Sequence, residues 1–412
     1  MADLLFTNAT VLDLVAGEPR PGMTVRCEGE RIVELTERGA RAAGGDLRSI
    51  DCRGRTLMPG LIDAHVHASI TTLDLSSMQN KPATLVAHEA AAVLGGMLDR
   101  GFTTVRDAGG SDWGLAQAVD KGLVRGPRIF YSGRVLSQTG GHGDFRPRTD
   151  DVPVCACSIY SGGFSHVADG VTAVRKAARE ELRRGATQVK IMASGGVASP
   201  TDPVWNVQYS PEEMRAIVEE ARGWRTYAMA HAYTPEAVTR AVQAGVRTIE
   251  HGNLIDADTA RLMAEHGAFL VPTLVIYHAA AETGRQFGFP ETSMRKLDDV
   301  LQAGTRSLEL AREAGVEMGF GTDLLGEVHD QQLREFSLRA EVLPPIEVLR
   351  SATTVNARIL DREGELGVVA EGALADLLLV DGNPLDDLSL FADPSRVPLV
   401  VKAGQVAVER DA

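Results

Sequence analysis

The chain has 412 residues, 44% hydrophobic and 24% charged, a globular balance that excludes a disordered, collagen-like or coiled-coil chain. With 42 Lys and Arg against 56 Asp and Glu, the formal charge is −14, so neither nucleic acid nor an anionic membrane is expected as a partner. No apolar run reaches the ~18 residues of a membrane span, the start Met1–Asn8 does not read as a secretory leader, and four cysteines make no disulfide framework; a reducing cytoplasm is expected.

Residues 1–56 read as short strands. Leu4–Phe6, Val11–Leu12, Thr24–Cys27 and Arg31–Glu34 are brief apolar or alternating pieces separated by Gly17, Gly22, Gly29 and Gly39. Residues 361–412 look similar: Ala375–Val380, a turn at Asp381–Pro384, then a hairpin from Leu399–Lys402 and Gln405–Val408. The two ends form either one small β-sandwich-like domain or two independent β extensions.

Between them, residues 57–360 alternate strands with amphipathic stretches. The predicted strands are Leu57–His67, Phe102–Asp107, Arg128–Ser132, Gln188–Ala193, Thr226–Ala232, Thr248–His251, Phe269–Leu274 and Glu317–Asp323. The predicted helices include Thr84–Arg100, Gly170–Arg184, Pro211–Ala221, Thr234–Ala244 and Asp258–Glu265. Ser210-Pro211 and Thr234-Pro235 have the form of an N-cap followed by proline at the first helical position. Strand–helix repetition on this scale predicts an α/β fold, a (β/α)8 barrel. The rival, a doubly wound open sheet, would carry a glycine-rich phosphate turn after its first strand; here that strand ends in His65-Val-His67.

The chemistry-bearing side chains fall at the C-terminal ends of the predicted strands, the catalytic face of such a barrel. On a strand, positions i and i+2 share a side, so His65 and His67 converge in a way that suits a divalent metal. Lys190 lies in an apolar strand and must pair with a carboxylate or lose its charge; as a neutral amine it could also take up carbon dioxide as a carbamate. The same i, i+2 rule sets His231 beside Tyr233. His251 and Asp323 end two further strands. His142 sits in the glycine-rich segment Thr139–Gly143, as a solvated loop residue or a substrate contact, and Tyr233 reads as strand-end packing or a substrate contact. His88, His166, His266, His278 and His329 are taken as structural or surface residues. Arg106 and Asp107 pair with each other or with groups behind the site. Cys155 and Cys157 are packing or loop thiols, or have a loop-stiffening or redox role.

The ordered set His65-x-His67, Lys190, His231, His251 and Asp323, with the phrases Arg100–Gly109, Ser137–His142, Lys190–Val197, Ala230–Tyr233, Ile249–Asn253 and Gly319–Asp323, resembles the amidohydrolase superfamily over nearly the whole chain. Within it, the chain is most similar to binuclear-metal prolidases and carboxypeptidase-like dipeptidases, with ochratoxin-hydrolysing enzymes as relatives. The resemblance implies His65, His67 and Asp323 on a more buried metal, His231 and His251 on a second, and a carbamylated Lys190 bridging both. A metal-bridging hydroxide would be the nucleophile and Asp323 the proton carrier, with His142 and Tyr233 on the substrate's carbonyl or carboxylate. Two divalent ions are implied, zinc foremost, with manganese or cobalt also acceptable to these ligands. A homo-oligomer is implied as well.

The expected activity is metal-dependent hydrolysis of the amide bond of a dipeptide, Xaa-Pro type foremost, or of an N-acyl amino acid with a free carboxylate. The alternatives are hydrolysis of an N-acyl aromatic amino acid such as ochratoxin A, and opening of a cyclic amide or imidazolone, ring deamination or phosphoester hydrolysis on the same scaffold. A non-catalytic role is disfavoured, because all six expected ligands are present.

Overall fold

The computed structural model describes residues 3–37, 47–146, 148–149, 164–199 and 201–410; Cys155 and Cys157 lie outside them. The strands Asp3–Asp13, Glu18–Glu28, Arg31–Thr36, Leu47–Asp51, Thr56–Pro59, Leu377–Val380, Leu399–Lys402 and Gln405–Glu409 form one eight-stranded sheet. Its seam is Thr56–Pro59, parallel to Asp3–Asp13 and antiparallel to Leu377–Val380, with Leu57 opposite Leu379. Phe6, Val25, Ile32, Leu57, Leu377 and Val401 pack into its own apolar cluster. Both termini are therefore stitched into a single sheet rather than two extensions, because each supplies one side of a shared hydrophobic layer.

The barrel starts two residues after that seam. The single expected strand Leu57–His67 is two strands, Thr56–Pro59 in the terminal sheet and Leu61–Val66 in the barrel. The break falls at Gly60, where a Cβ would lie 2.2 Å from the Thr103 hydroxyl. Leu61–Val66 pairs in parallel with Phe102–Asp107, which pairs in parallel with Arg128–Tyr131. The chain then bends and continues as Val135–Ser137, beside Val189–Met192. Parallel pairing runs on through Ala228–Ala232, Thr248–His251 and Phe269–Val271.

Segment 317–323 closes the ring without a regular ladder: a bridge joins Leu270 to Met318, and the Ala64 amide donates to the Phe320 carbonyl at 2.8 Å. The expected strand Phe269–Leu274 ends at Val271. Pro272 has no amide to donate, and Leu274 opens the helix Leu274–Thr283.

The helices match expectation within one or two residues: Ala83–Asp99, Val171–Arg183, Pro211–Gly223, Pro235–Ala244 and Ala257–Glu265. Ser210 forms a capping box with Glu213, and the Thr234 hydroxyl accepts from the Ala237 amide, satisfying amides that the first helical turn leaves open. Parallel strands with capped helices between them place every strand's C-terminal end on one face of the barrel. Among the described residues, no helix is long and apolar enough to cross a membrane.

Candidate metal centre

His65 and His67 end the first barrel strand, and Asp323 ends the segment that closes the ring. Their ligand-type atoms lie within 4.8 Å of one another. Asp323 Oδ1 is 3.3 Å from His65 Nε2 and 3.1 Å from His67 Nε2. Gly321 permits this approach: a Cβ there would sit 2.8 Å from His65 Cβ.

The tautomers follow from the opposite ring nitrogens. His65 Nδ1 lies 2.7 Å from a Glu250 carboxylate oxygen, and His67 Nδ1 lies 2.8 Å from the Gly109 carbonyl. Both partners only accept, so both Nδ1 atoms carry the proton and both Nε2 atoms present lone pairs toward Asp323. His65 Nε2 is buried without a hydrogen-bond partner. Three electron-pair donors converging with no proton between them could hold a cation. Without a metal, a proton is the substitute: burial disfavours the charged form of His67, yet Asp323 raises its pKa overall. Asp323 itself is held well below the usual carboxylate range, burial being outweighed by His65, His67 and His251.

The other expected ligands line the same pocket but stand outside that tight group. The His231 and His251 rings lie 4.5 Å apart between centroids, and His65 and His251 5.1 Å apart. His231 Nε2 donates to the Gly195 carbonyl at 3.1 Å, leaving the lone pair on Nδ1. His251 Nδ1 is 2.8 Å from the Thr273 hydroxyl, leaving Nε2. Lys190 is buried on the neighbouring strand, and that burial lowers its pKa to about 8, so a fraction is free amine near neutrality. His251 and Asp323 both have positive φ, 74° and 53°, a conformation non-glycine residues adopt at a cost. Two strained residues at one site show that the fold overrides local preference to aim them.

His142 stacks on His231 at 4.3 Å between ring centroids, and its Nδ1 lies 2.7 Å from the Ser199 hydroxyl. It is buried, so the solvated-loop reading is set aside; burial lowers its pKa to about 4. Tyr233 stacks on His251 at 5.2 Å, and its hydroxyl is 3.0 Å from that of Tyr277. Both tyrosines line the pocket, whose outer wall is apolar, including Ile70, Phe145, Phe164 and Phe289.

Several supporting residues were not assigned by the sequence. Glu250, inside the phrase around His251, holds His65, and the buried Arg106 holds Glu250. Its sequence signal is a carboxylate in an otherwise apolar strand, which needs a buried partner. Arg106 thus pairs with Glu250 rather than Asp107; Asp107 instead accepts from the amides of Ala68, Gly109 and Ser111. Asp63 ties the barrel's ends, accepting from the Thr322 hydroxyl and from Gln332. The Gly109 carbonyl and Tyr277 had no sequence signal. Of the histidines set aside, His329 is buried with Nε2 toward the Ile70 carbonyl, and His88 and His266 are exposed.

A parallel barrel with imidazoles, a carboxylate and a buried lysine at its C-terminal face defines a metal-dependent hydrolase. The chain belongs to the amidohydrolase family, whose pattern matches residues 56–407. Ochratoxinase of Aspergillus niger is 32% identical over 362 residues, 85% of this chain and 75% of that one. The fold superposes on a prolidase solved with N-methylphosphonate-L-proline, at a TM-score of 0.96 with 54% identity and full coverage of both chains. A Xaa-Pro dipeptidase solved with methionine in its active site matches at 0.88 with 30% identity, over 98% of this chain and 99% of that one. The chain is a metal-dependent hydrolase acting on amide bonds.

Proposed function

We propose that the chain is a binuclear-metal dipeptidase of Xaa-Pro or carboxypeptidase-like type, acting on dipeptides or N-acyl amino acids with a free carboxylate. In this reading residues 57–360 form the catalytic barrel and both termini the small β domain. His65, His67 and Asp323 would hold one divalent ion and His231 and His251 a second, with Lys190 as its carbamate a ligand to both and zinc as the metal. The observation that carries the reading is the convergence of three proton-free donor atoms, on His65, His67 and Asp323, beneath a pocket that also presents His142 and Tyr233. Its similarity to the 54% identical prolidase, solved with an L-proline derivative, favours a proline-type leaving residue.

Bound divalent ions supply acidity to water and polarise a carbonyl. The chain's own groups do the rest. Asp323 takes a proton from the attacking water as the new C–O bond forms, and delivers it to the nitrogen as the C–N bond breaks. The Tyr233 hydroxyl donates to the carbonyl oxygen as negative charge develops there. His142, held by Ser199, meets the substrate's carboxylate. The apolar wall excludes bulk water and strengthens each of these contacts.

The aromatic side chains Phe145, Phe164 and Phe289 in the wall support a second reading, hydrolysis of an N-acyl aromatic amino acid such as ochratoxin A. One panel tests both: Xaa-Pro dipeptides, other dipeptides, N-acyl amino acids and an aryl amide of phenylalanine, on protein of measured metal content with a chelated control. Chelator-sensitive cleavage with about two metals per chain supports the amide hydrolase, and the fastest class names the substrate. No cleavage of any amide by metal-loaded protein rejects both readings.

A further inference from the structure

We propose that Lys296 is a positioning residue: its ammonium clasps the backbone frame around His142, and so sets how the pocket meets the substrate's carboxylate. The inference rests on the reading that His142 contacts that carboxylate.

His142 is held by more than its stacking on His231. Its Nδ1 lies 2.7 Å from the Ser199 hydroxyl, and its amide donates to Gln208 Oε1 at 2.9 Å. The Gly196 backbone is pressed against the ring, where a Cβ would fall 2.0 Å from the imidazole. Asp202 joins these supports: its Oδ2 accepts from the Gly196 amide at 3.1 Å and from Gln208 Nε2 at 3.0 Å. Ser199, Asp202 and Gln208 are all buried. With Gly196 they make one bonded frame around the imidazole.

Gly196, Ser199 and Asp202 lie outside any helix or strand, so no regular ladder fixes their carbonyls. A side chain from a distant helix does so instead. Lys296, half-buried on the helix Glu291–Leu301, donates to the carbonyls of Gly196 at 2.9 Å, Ser199 at 2.8 Å and Asp202 at 2.5 Å. An ammonium has three protons and no acceptor, so these three bonds use it completely. Bonds from a charged donor are the stronger kind, and three of them on one cation hold these carbonyls to a common point. Without the cation the carbonyls would lose their shared partner and turn toward water. Gly196 and Ser199 would move with them, and both touch His142. The donors of Lys296 are spent on the frame, so it acts on the substrate through His142 and not by direct contact.

The test is a double-mutant cycle on metal-quantified enzyme, using the fastest panel substrate for kcat and KM. N-methylphosphonate-L-proline serves as the binding probe in calorimetry. H142A should raise KM about 30-fold, as loss of a hydrogen bond to a charged group does. K296M, which keeps the length of the side chain and removes its charge and donors, should raise KM about tenfold. It should weaken the probe by a similar factor, while kcat and metal content stay at the wild-type level. H142A/K296M should be no worse than H142A within about twofold, because Lys296 acts only through His142.

Losses that multiply in the double variant would overturn the proposal, showing that Lys296 shapes the pocket by another route, such as the wall at Val197 and Ala198. So would a K296M enzyme with wild-type KM and probe affinity while H142A is impaired. A K296M protein that lost its metal or its fold would overturn it too, since the clasp holds the frame of His142 and not the barrel. An H142A enzyme with wild-type kinetics is a different failure: it removes the assigned role of His142, and the clasp's purpose with it.

Discussion

His65 Nδ1 and the Glu250 carboxylate meet at 2.7 Å at the bottom of the site, and Arg106 Nη2 lies 2.9 and 3.0 Å from the two oxygens of that carboxylate. Arg106 also donates to the Ala64 carbonyl beside His65. The imidazole is thus fixed by a buried ion pair whose cation is anchored to the same strand. Burial disfavours the Glu250 charge, but Arg106 and His65 hold its pKa well below the usual range.

Two substitutions test this pair. E250Q keeps shape but loses the charge, leaving Arg106 buried without its counterion, and metal affinity should fall roughly 10- to 100-fold in protein whose fold is verified by circular dichroism. R106M leaves Glu250 buried without its partner and should cost roughly 3–5 kcal/mol, read as a lowered denaturant midpoint. Wild-type metal affinity in E250Q would show that the charge of Glu250 does not tune His65 as a ligand.

Lys190→Ala removes the proposed bridge. Bound metal should drop and activity with it, and millimolar short carboxylic acids should return part of the activity by occupying the carbamate's place. A K190A enzyme with full metal and full rate would refute the assignment of Lys190 as a ligand.

Chelation should abolish amide hydrolysis and lower thermal stability, because metal binds the folded site and not the unfolded chain. Restoring zinc at 100-fold over its Kd should return about 2.7 kcal/mol of stability, seen as a raised Tm in scanning calorimetry. An identical Tm with and without zinc would count against a built site.

Gly196 lies against His142: a Cβ there would fall 2.0 Å from the imidazole. G196A should displace His142 and lower kcat/KM while leaving metal content unchanged, since His142 is outside the proposed ligand set. Wild-type kinetics in G196A would argue against a substrate role for His142.

Cys27 and Cys52 are free and buried, and burial pushes both thiols up to about 12. At pH 8 about one in 10,000 would be thiolate. A C155S/C157S variant should therefore bind no aromatic disulfide reagent while folded and two equivalents once denatured. Rapid labelling of the native variant would contradict their burial.

The segments carrying His65, His67, Lys190, His231, His251 and Asp323 were legible because apolar runs that hold or close on a polar side chain repeat along the chain. Helix starts were legible at Ser210 and Thr234, where capping is a local matter. The seam at Thr56–Pro59 was not: that strand is as apolar as the barrel strand after it, and only its partner Leu377–Val380, more than 300 residues away, shows which sheet it joins. Segment 317–323 read as a strand but is held by isolated bonds, because its glycines let it pass close to His65 at the expense of a regular ladder.

Residue identity and spacing thus determined by themselves the alternation of strands and helices and the sides on which the strand residues project, since these depend on local periodicity; the assignment of ligands came from the resemblance. Tertiary structure decided which ring nitrogen each histidine presents, that Arg106 serves Glu250, and that Tyr277 reaches Tyr233. Those are contacts between strands and helices far apart in sequence, and a hydrogen bond's partner is set by where the fold brings the chain back.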